Sequence, residues 1–188
     1  NAGLDKKLSL IAAPAGFGKT TLLSEWIPHS PGCVTWLSLD AGDNDLSLCL
    51  SYLIAALHNV RPGAGQAMQG LLGRPNLPAV SELLLPLIND LAGGGEPFLL
   101  VLDDYHTLQD LAIHEALVFL LDHQPPGMHT VITTRQDPLL PLARWRARGQ
   151  LTEIRPADLR FTREEAAEFL NRSMSLELSP EDVAVLEE

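Results

Sequence analysis

Apolar residues in this chain of 188 residues cluster in short runs separated by turns or by segments of helical spacing. Five of these runs have the length and composition of β-strands, and they cover residues 7–13, 33–39, 98–104, 129–135 and 151–155. The run that starts at Phe98 is uninterrupted, which is typical of a parallel strand covered on both faces. The pattern therefore predicts a sheet with a buried centre.

Helical periodicity fills the intervals between these runs. Apolar residues recur at helical spacing from near Thr20 and over residues 46–58, 79–91, 113–121 and 140–148. Residues 61–78 are rich in glycine and proline and fit either a long loop or a poorly periodic helix. The alternation predicts an α/β domain with a five-stranded, mostly parallel sheet and helices on both faces.

Beyond residue 158 the pattern changes to consecutive helices with no strand between them. Thr162 and Glu165 have the spacing of a capping box, and Ser179 precedes Pro180 as it would at the start of a further helix. We therefore expect an α/β domain over residues 1–158 and the beginning of a helical subdomain over residues 159–188. The chain starts just before a strand and stops within a helix pattern, so we expect it to be part of a longer protein.

Composition argues against several classes of protein. Hydrophobic residues make up 46% of the chain and charged residues 20%, which is typical of a globular domain, and no apolar run is long enough for a membrane helix. The net charge of −11 weighs against nucleic-acid binding by this segment, and the arginines at 144, 146 and 148 are interpreted as a solvated helix face. Cys33 and Cys49 show neither disulfide nor metal spacing and indicate a cytoplasmic protein.

The stretch AAPAGFGKTT, residues 12–21, joins the first strand to the first helix. A phosphate loop needs inward backbone N–H groups, a helix N-terminus, a lysine and a hydroxyl for magnesium. The predicted phosphate-binding residues are Ala15, Gly16, Phe17, Gly18, Lys19, Thr20 and Thr21, and Thr20 is also the predicted metal-side hydroxyl. Ala13 replaces the first glycine of the usual pattern, so a tight turn with an incidental lysine is the alternative.

Two acids end the apolar run that starts at Phe98. Asp103, at the carboxyl end of the predicted strand, is placed to hold a magnesium ion directly or through water. Asp104 is placed to orient or deprotonate an attacking water. The alternative is that both acids only terminate the strand and cap the next helix.

Thr133, Thr134 and Arg135 end the fourth predicted strand, and ligands of open α/β sheets bind at this edge. Arg135 is predicted to contact a γ-phosphate; a surface arginine paired with Asp103, Asp104 or Asp137 is the alternative.

Weaker candidates surround these positions. Asp40, Asp43 and Asp45 are interpreted as helix-capping acids of a solvated loop, because they lack the length and terminal glutamate of a calcium-binding loop. His106 fits either a place near the acids or a structural role. Tyr105 fits a place beneath the site or against a base.

Several motifs occur here in one order: SLIAAPAGFGKTTLLSEW, WLSLDAGDND, LVLDDYH, TTRQDPLLPLARWRARGQLTEI and LRFTREEAAEFL. Together they resemble the N-terminal ATPase domain of the large ATP-binding LuxR-type transcription regulators, the MalT-like group of STAND P-loop NTPases. A small residue followed by proline at the position of Ala13 is usual in that group.

The resemblance implies an ATP/ADP switch with slow, weak ATPase activity. It implies that Gly16, Gly18, Lys19, Thr20 and Thr21 hold phosphates and Mg²⁺. It assigns Asp103 to the metal, Asp104 to hydrolysis and Arg135 to sensing the γ-phosphate, with the strand of residues 129–135 lying between the first strand and the strand of residues 98–104. It further implies a winged-helix segment after this domain, self-association in the ATP state, and inducer and DNA bound by domains outside this chain.

Two alternative functions remain open from the residues alone. A small-molecule P-loop kinase would need an arginine-bearing lid, and residues 61–78 offer only Arg61 and Arg74. The second alternative is a nucleotide-binding scaffold that does not hydrolyse ATP. It would differ from an ATP/ADP switch in the role of Asp104.

Overall fold

The computed structural model describes residues 6–30, 32–160, 165 and 171. It contains a five-stranded sheet with the strand order β2-β3-β4-β1-β5. The strands are β1 (Leu8–Ala12), β2 (Cys33–Ser38), β3 (Phe98–Asp103), β4 (Met128–Thr134) and β5 (Leu151–Ile154). All four pairings are parallel, so the predicted sheet is confirmed.

Six α-helices connect the strands within the described residues. They are α1 (Lys19–Trp26), α2 (Leu46–His58), α3 (Gln66–Leu72), α4 (Val80–Ala92), α5 (Leu111–His123) and α6 (Leu142–Ala147). The glycine- and proline-rich stretch contains the short helix α3. It begins after Gly65, which has a φ of 82° and whose added Cβ would lie 2.8 Å from Cγ2 of Ile54. Glycine is therefore required where α3 packs against α2.

The side chains of the central strands alternate between two apolar layers, as the pleat of a strand requires. Leu100 and Leu102 of β3 pack in the larger layer, which contains buried residues of α2, α3, α4, α5 and α6. Leu99 and Val101 point the other way and pack with Leu23 of α1. The prediction of helices on both faces is confirmed, with most of the helical mass on one face.

The register brings the carboxyl ends of three strands to one edge. Ala12 of β1 is paired with Thr134 of β4, and Leu102 of β3 is paired with Ile132 of β4. The N–H of Ala13 also donates to the carbonyl oxygen of Thr134 at 3.1 Å, which extends the β1–β4 pairing by one residue. The expected insertion of β4 between β1 and β3 is confirmed, and the segments that follow these strands meet at this edge.

The acidic turn after β2 has the capping role predicted for it. Asp40 and Asp43 form a reciprocal capping box around the 3-10 turn Ala41–Asp43. Asp45 caps α2 by accepting a hydrogen bond of 2.9 Å from the N–H of Leu48. Asp43 is buried, so the turn is less solvated than expected.

Three features noted from the composition can be located in the structure. Within residues 6–30 and 32–160, no helix has the length and apolarity needed to cross a bilayer. Cys33 and Cys49 are both free thiols. Arg144 and Arg146 are exposed and form ion pairs with Asp122 and Glu153. The predicted helical subdomain of residues 159–188 lies outside the described residues, except at positions 159, 160, 165 and 171.

A buried histidine joins β4 to β1 near the amino ends of the strands. Nδ1 of His129 is 2.6 Å from the carbonyl oxygen of Lys6, and Nε2 is 3.1 Å from the hydroxyl oxygen of Ser9. A carbonyl can only accept, so Nδ1 carries the hydrogen and Nε2 accepts from Ser9. Burial lowers the pKa of His129, against the opposing effect of its hydrogen bond to Lys6. The ring is therefore neutral and fully hydrogen-bonded at pH 7.

We predict that the free energy of unfolding falls as the pH is lowered from 7.5 to 5. The pKa of His129 is lower in the folded chain than its ordinary value of 6.5, so the unfolded chain takes up a proton first as the pH falls. The contribution of neutral His129 to the free energy of unfolding is therefore complete above pH 6.5, and it is lost as the pH falls towards the pKa of His129 in the folded chain. Urea titrations at several pH values measure the slope.

Replacing His129 by glutamine should reduce this pH-dependent loss. The loss should persist in part, because burial also lowers the pKa of His106 and of His114. The exposed His123, replaced in the same way, is the matched control for the loss of a histidine. If the free energy of unfolding changed with pH equally in all three proteins, the role given to His129 would be contradicted.

Candidate functional site

The loop between β1 and α1 depends on two glycines with left-handed backbone conformation. Gly16 has a φ of 83° and Gly18 a φ of 73°, a region that residues with a Cβ rarely adopt. Apart from the adjacent residues of the chain, no described protein atom lies within 4 Å of a Cβ added at either position. Backbone conformation rather than crowding requires these glycines, and the loop surface above them would admit a ligand.

The first turn of α1 is available to an anion. Its N-cap is Gly18, no side chain caps it, and its first turn has no acidic residue. By contrast, α2 and α5 are capped by Asp45 and Asp110. The unpaired N–H groups and the helix dipole at such an end favour a negatively charged group.

The side chain of Lys19 is hydrogen-bonded to the backbone of its own loop. Its ammonium is buried and donates to the carbonyl oxygens of Ala13 at 2.8 Å and Pro14 at 2.9 Å. A lysine ammonium has three N–H donors, so one donor remains for a phosphate. Burial lowers the pKa of Lys19, while the charge of Asp104 opposes that shift. The lysine is thus part of the loop's structure, which argues against an incidental position.

The contact with Lys19 also explains why Ala13 is tolerated in place of glycine. The carbonyl oxygen of Ala13 accepts from Lys19, and its N–H donates to the carbonyl oxygen of Thr134. Both are backbone groups, so neither bond requires a residue without a side chain. Its φ lies outside the left-handed region, and its methyl group is buried. Nothing in the described geometry at this position requires glycine.

One hydroxyl group fixes the geometry of both acids. The Oγ1 of Thr133, fully buried on β4, donates to Oδ1 of Asp103. The same oxygen accepts from the backbone N–H of Asp104 at 2.9 Å. Sequence reasoning noted Thr133 only as a residue at the strand end. The parallel register that sets it beside β3 could have revealed this contact.

The two acids occupy different environments. Asp103 is buried at the end of β3, whereas the side chain of Asp104 is 48% exposed. Asp104 has φ 56° and ψ 39° and is the one residue other than glycine with a positive φ among the described residues. Its carbonyl oxygen accepts from both the N–H and the hydroxyl of Thr107 at 3.0 Å. Asp104 makes no side-chain cap, and Asp110 caps the next α-helix, so the capping alternative loses its support.

Arg135 immediately follows β4 and is exposed. Its charge helps to lower the pKa of Lys19, after the larger effect of burial, so the two cations share one electrostatic environment. Asp137, a possible partner in the sequence, is instead paired with Arg155. Within the described part of the chain, Arg135 makes no ion pair of 4 Å or less, which removes support from the surface-pairing alternative.

The two residues after the acids point in different directions. The ring of Tyr105 is buried in the larger apolar layer, and its hydroxyl oxygen lies 2.7 Å from Nδ1 of His114. Tyr105 therefore packs beneath the acids. His106 stays at the sheet edge, with Nδ1 at 3.6 Å from Oδ1 of Asp104.

The donor set at this edge fits a magnesium ion shared with a nucleotide. No group of three or more His, Cys, Asp or Glu residues in the described ranges is arranged to hold a metal ion alone. Magnesium at nucleotide sites usually takes one or two carboxylates and completes its shell with phosphate oxygens and water. Asp103 and the exposed Thr20 in the first turn of α1 provide donors of that kind.

No family model matches the chain. Comparison with individual known proteins does find relatives. The chain is 38% identical over 174 residues to the HTH-type transcriptional regulator MalT of Cronobacter sakazakii, which covers 93% of the chain and 19% of that protein. It is also 38% identical over 176 residues to MalT of Klebsiella pneumoniae, with 94% and 19% covered. The chain therefore spans about a fifth of the length of these curated relatives.

Among solved structures, Cdc6p of Pyrobaculum aerophilum matches 97% of this chain and 48% of its own, with a TM-score of 0.53 and 16% identity. Identity this low supports a shared fold alone. Together with the parallel sheet, it agrees with the predicted α/β fold.

The strained backbone at Asp104 gives a prediction that does not depend on function. Alanine at this position would keep the cost of the left-handed conformation, whereas glycine would relieve it. We expect Asp104→Gly to be more stable than Asp104→Ala by about 1 kcal/mol, even after the greater entropy of glycine in the unfolded chain. Urea unfolding of both variants measures this difference, and an alanine variant as stable as the glycine variant would contradict it.

Proposed function

Because the chain is a relative of the MalT-type transcriptional regulators over nearly all of its length, we propose that it is a nucleotide-responsive module of such a regulator. It binds ATP or ADP with Mg²⁺ at the carboxyl edge of the sheet and hydrolyses ATP slowly. One observation carries this proposal. The register places the glycine loop, the acidic pair and Arg135 after three adjacent strands.

The phosphates bind in the loop between β1 and α1. The backbone of residues 15–21 supplies N–H donors at an uncapped helix start, and the remaining N–H of Lys19 reaches the β- and γ-phosphates. A cation buried beside carbonyl oxygens is already positioned before the ligand arrives. Binding then costs little side-chain entropy.

Asp103 and the hydroxyl of Thr20 would hold Mg²⁺. When bound, the ion neutralises charge on the β- and γ-phosphate oxygens. Thr133 donates to one carboxylate oxygen of Asp103, so this bond fixes the carboxylate and leaves the other oxygen for the ion or its water. The protein's part is to fix the direction of that oxygen.

Asp104 and Arg135 act at the γ-phosphate end. The half-exposed carboxylate of Asp104 orients an attacking water and accepts its proton. Arg135, exposed and without an ion pair in the described part of the chain, contacts the γ-phosphate and makes ATP distinguishable from ADP.

The ATP and ADP states constitute the switch. In the ATP state, the longer protein self-associates and activates transcription, and hydrolysis returns it to rest. Inducer and DNA bind to parts of the regulator outside this chain, which agrees with the net charge of −11. We propose the cytoplasm as its compartment, where free thiols such as Cys33 and Cys49 persist.

The small-molecule kinase is less well supported. Arg61, a candidate lid residue, donates to the carbonyl oxygens of Val60 and Glu96, and its guanidinium lies 5.1 Å from the ring centre of Phe98. Phe98 begins β3, whereas Asp103 ends it. Arg61 is therefore fixed at the opposite end of the strand from the acids.

Lys19→Ala tests the phosphate loop. Loss of a charge-assisted hydrogen bond should weaken ADP binding by about 2 kcal/mol or more, roughly a 30-fold rise in Kd. Lys7→Ala is the matched control. Lys7 lies at the amino end of β1, the end opposite the loop, and its ammonium donates to the carbonyl oxygen of Asp122. Calorimetry that finds equal ADP affinity in both variants would rule out the loop as the phosphate site.

Arg135→Ala tests the sensor. ATP affinity should fall by about 1.5–3 kcal/mol, the range for hydrogen bonds to charged groups, while ADP affinity should change much less. Arg144→Ala, which removes an exposed arginine paired with Asp122, should leave both affinities as they are. Equal losses for ATP and ADP in the Arg135 variant would exclude sensing of the γ-phosphate.

A further inference from the structure

The side chain of Asn44 joins the turn after β2 to the segment that follows the two acids. Its Nδ2 donates to the carbonyl oxygen of Thr107 at 2.9 Å and to that of Ala41 at 3.1 Å. Its Oδ1 accepts from the backbone N–H groups of Gln109 at 2.6 Å and Asp110 at 3.2 Å. A side-chain amide has two N–H donors and an oxygen with two lone pairs, so these four bonds use its whole capacity.

The orientation of the Asn44 amide follows from its partners. The two carbonyl oxygens can only accept, and the two backbone N–H groups can only donate. Rotating the amide by 180° would set oxygen against oxygen and N–H against N–H, and all four bonds would be lost. The position therefore distinguishes asparagine from aspartate, since an ionised carboxylate could accept from the two N–H groups but could not donate to the two carbonyl oxygens.

The register of the sheet brings the two turns together. β2 and β3 are paired through their last residues, and the N–H of Leu39 donates to the carbonyl oxygen of Asp103 at 3.0 Å. The turn that carries Asn44 therefore leaves the sheet beside the segment that carries Asp104. The capping box around the turn Ala41–Asp43 holds Asn44 from its own side.

The bond from Asn44 to Thr107 lies one residue contact away from Asp104. The carbonyl oxygen of Thr107 accepts from Asn44, while the N–H and the hydroxyl of the same threonine donate to the carbonyl oxygen of Asp104 at 3.0 Å. The Asp104 N–H donates to Thr133. The turn is thus held from both sides of β3, by Asn44 after β2 and by Thr133 on β4.

The backbone of Asp104 needs support of this kind. Its φ is 56°, a left-handed conformation that costs energy for a residue with a Cβ and that persists where the surroundings over-determine it. The following helix α5 already has Asp110 as its side-chain cap, through the N–H of Ala112. The bond from Asn44 to Thr107 is therefore placed to fix the turn that directs the Asp104 carboxylate.

We propose that Asn44 is a positioning residue for ATP hydrolysis, which holds the turn after β3 so that the Asp104 carboxylate stays directed at the attacking water. This proposal rests on the proposed hydrolysis. In that step, the water oxygen bonds to the γ-phosphorus, and the bond to the β–γ bridging oxygen breaks with its electron pair going to ADP. Asp104 accepts the water proton and passes it to the phosphate product. Asn44 exchanges no proton and acts through the backbone of Thr107.

Replacing Asn44 by aspartate separates its donor bonds from its acceptor bonds. At pH 7.5 the ionised carboxylate has nearly the same shape and still accepts from Gln109 and Asp110, but it repels the carbonyl oxygen of Thr107. We expect Asn44→Asp to lower kcat about tenfold or more, the scale for losing an orienting partner. KM for MgATP and Kd for MgADP should stay within about twofold of wild type, because the phosphate loop is unchanged.

Two variants control for stability and for charge. Asp45→Ala removes the cap of α2 in the same turn, so it should lower the free energy of unfolding and leave kcat unchanged. Asn59→Asp adds a negative charge at the opposite end of α2 and should also leave kcat unchanged. Asn44→Ala, which removes all four bonds, should lower kcat at least as far as Asn44→Asp.

Amide hydrogen exchange of the free chain measures the turn itself, without any turnover. In Asn44→Asp, the N–H of Thr107 should exchange about tenfold faster or more, because the turn opens locally. The N–H groups of Gln109 and Asp110 should stay protected, since the carboxylate still accepts from them. In Asp45→Ala, exchange at Thr107 should equal that of the wild type.

Three outcomes would overturn the role of Asn44: wild-type kcat or wild-type exchange at Thr107 in Asn44→Asp, an equal loss of kcat in Asp45→Ala, or a full additional loss when Asn44→Asp is combined with Asp104→Asn. A residue that acts through Asp104 has no effect without it. Turnover that is missing in the wild type, or unchanged in Asp104→Asn, would overturn the proposed hydrolysis and the role of Asn44 with it. These last results are recognisable before any Asn44 variant is measured.

Discussion

Strand β4 is hydrogen-bonded to β1 on one side and to β3 on the other, in parallel register on both. That double pairing aligns the end of β1 with Thr134 and sets Thr133 beside the end of β3. The loop that starts at Ala13, the acids at 103 and 104, and Arg135 therefore meet without any long-range contact between their side chains. The candidate site depends on this register, because a shift of one residue would turn Thr133 to the opposite face.

The local charge at this edge differs from the charge of the whole chain. The net charge is −11, which alone would repel a nucleotide. Lys19 and Arg135 nevertheless influence one another at the edge, and Lys19 is buried. At this edge Asp103 and Asp104 balance the two cations, so the edge lacks the large negative net charge of the whole chain, and salt screens the carboxylates elsewhere on the surface. An acidic domain can thus bind an anion while remaining unsuited to a nucleic-acid backbone.

Much of this architecture could be predicted from the sequence, because its causes are local. Apolar runs and helical spacing gave the strands and the main helices within a few residues, and glycine placement marked the loop. The hydroxyl bridge of Thr133 could not be predicted so directly, because it depends on which strand lies beside β3. The short helix α3 was ambiguous for a different reason: glycines and prolines mask its period. The strand order itself came from resemblance, since hydrophobic pattern alone leaves it open.

The acidic pair illustrates how one turn can give two like residues different chemistry. Asp103 ends a regular strand, is buried, and receives a hydrogen bond from Thr133. Asp104 leaves the strand through a left-handed conformation that costs energy for residues with a Cβ, although aspartate adopts it more often than most of them. The cost of that conformation is offset by the bonds at its N–H and carbonyl oxygen. Because the turn moves only the second carboxylate towards solvent, one acid is suited to a fixed ion and the other to a mobile water.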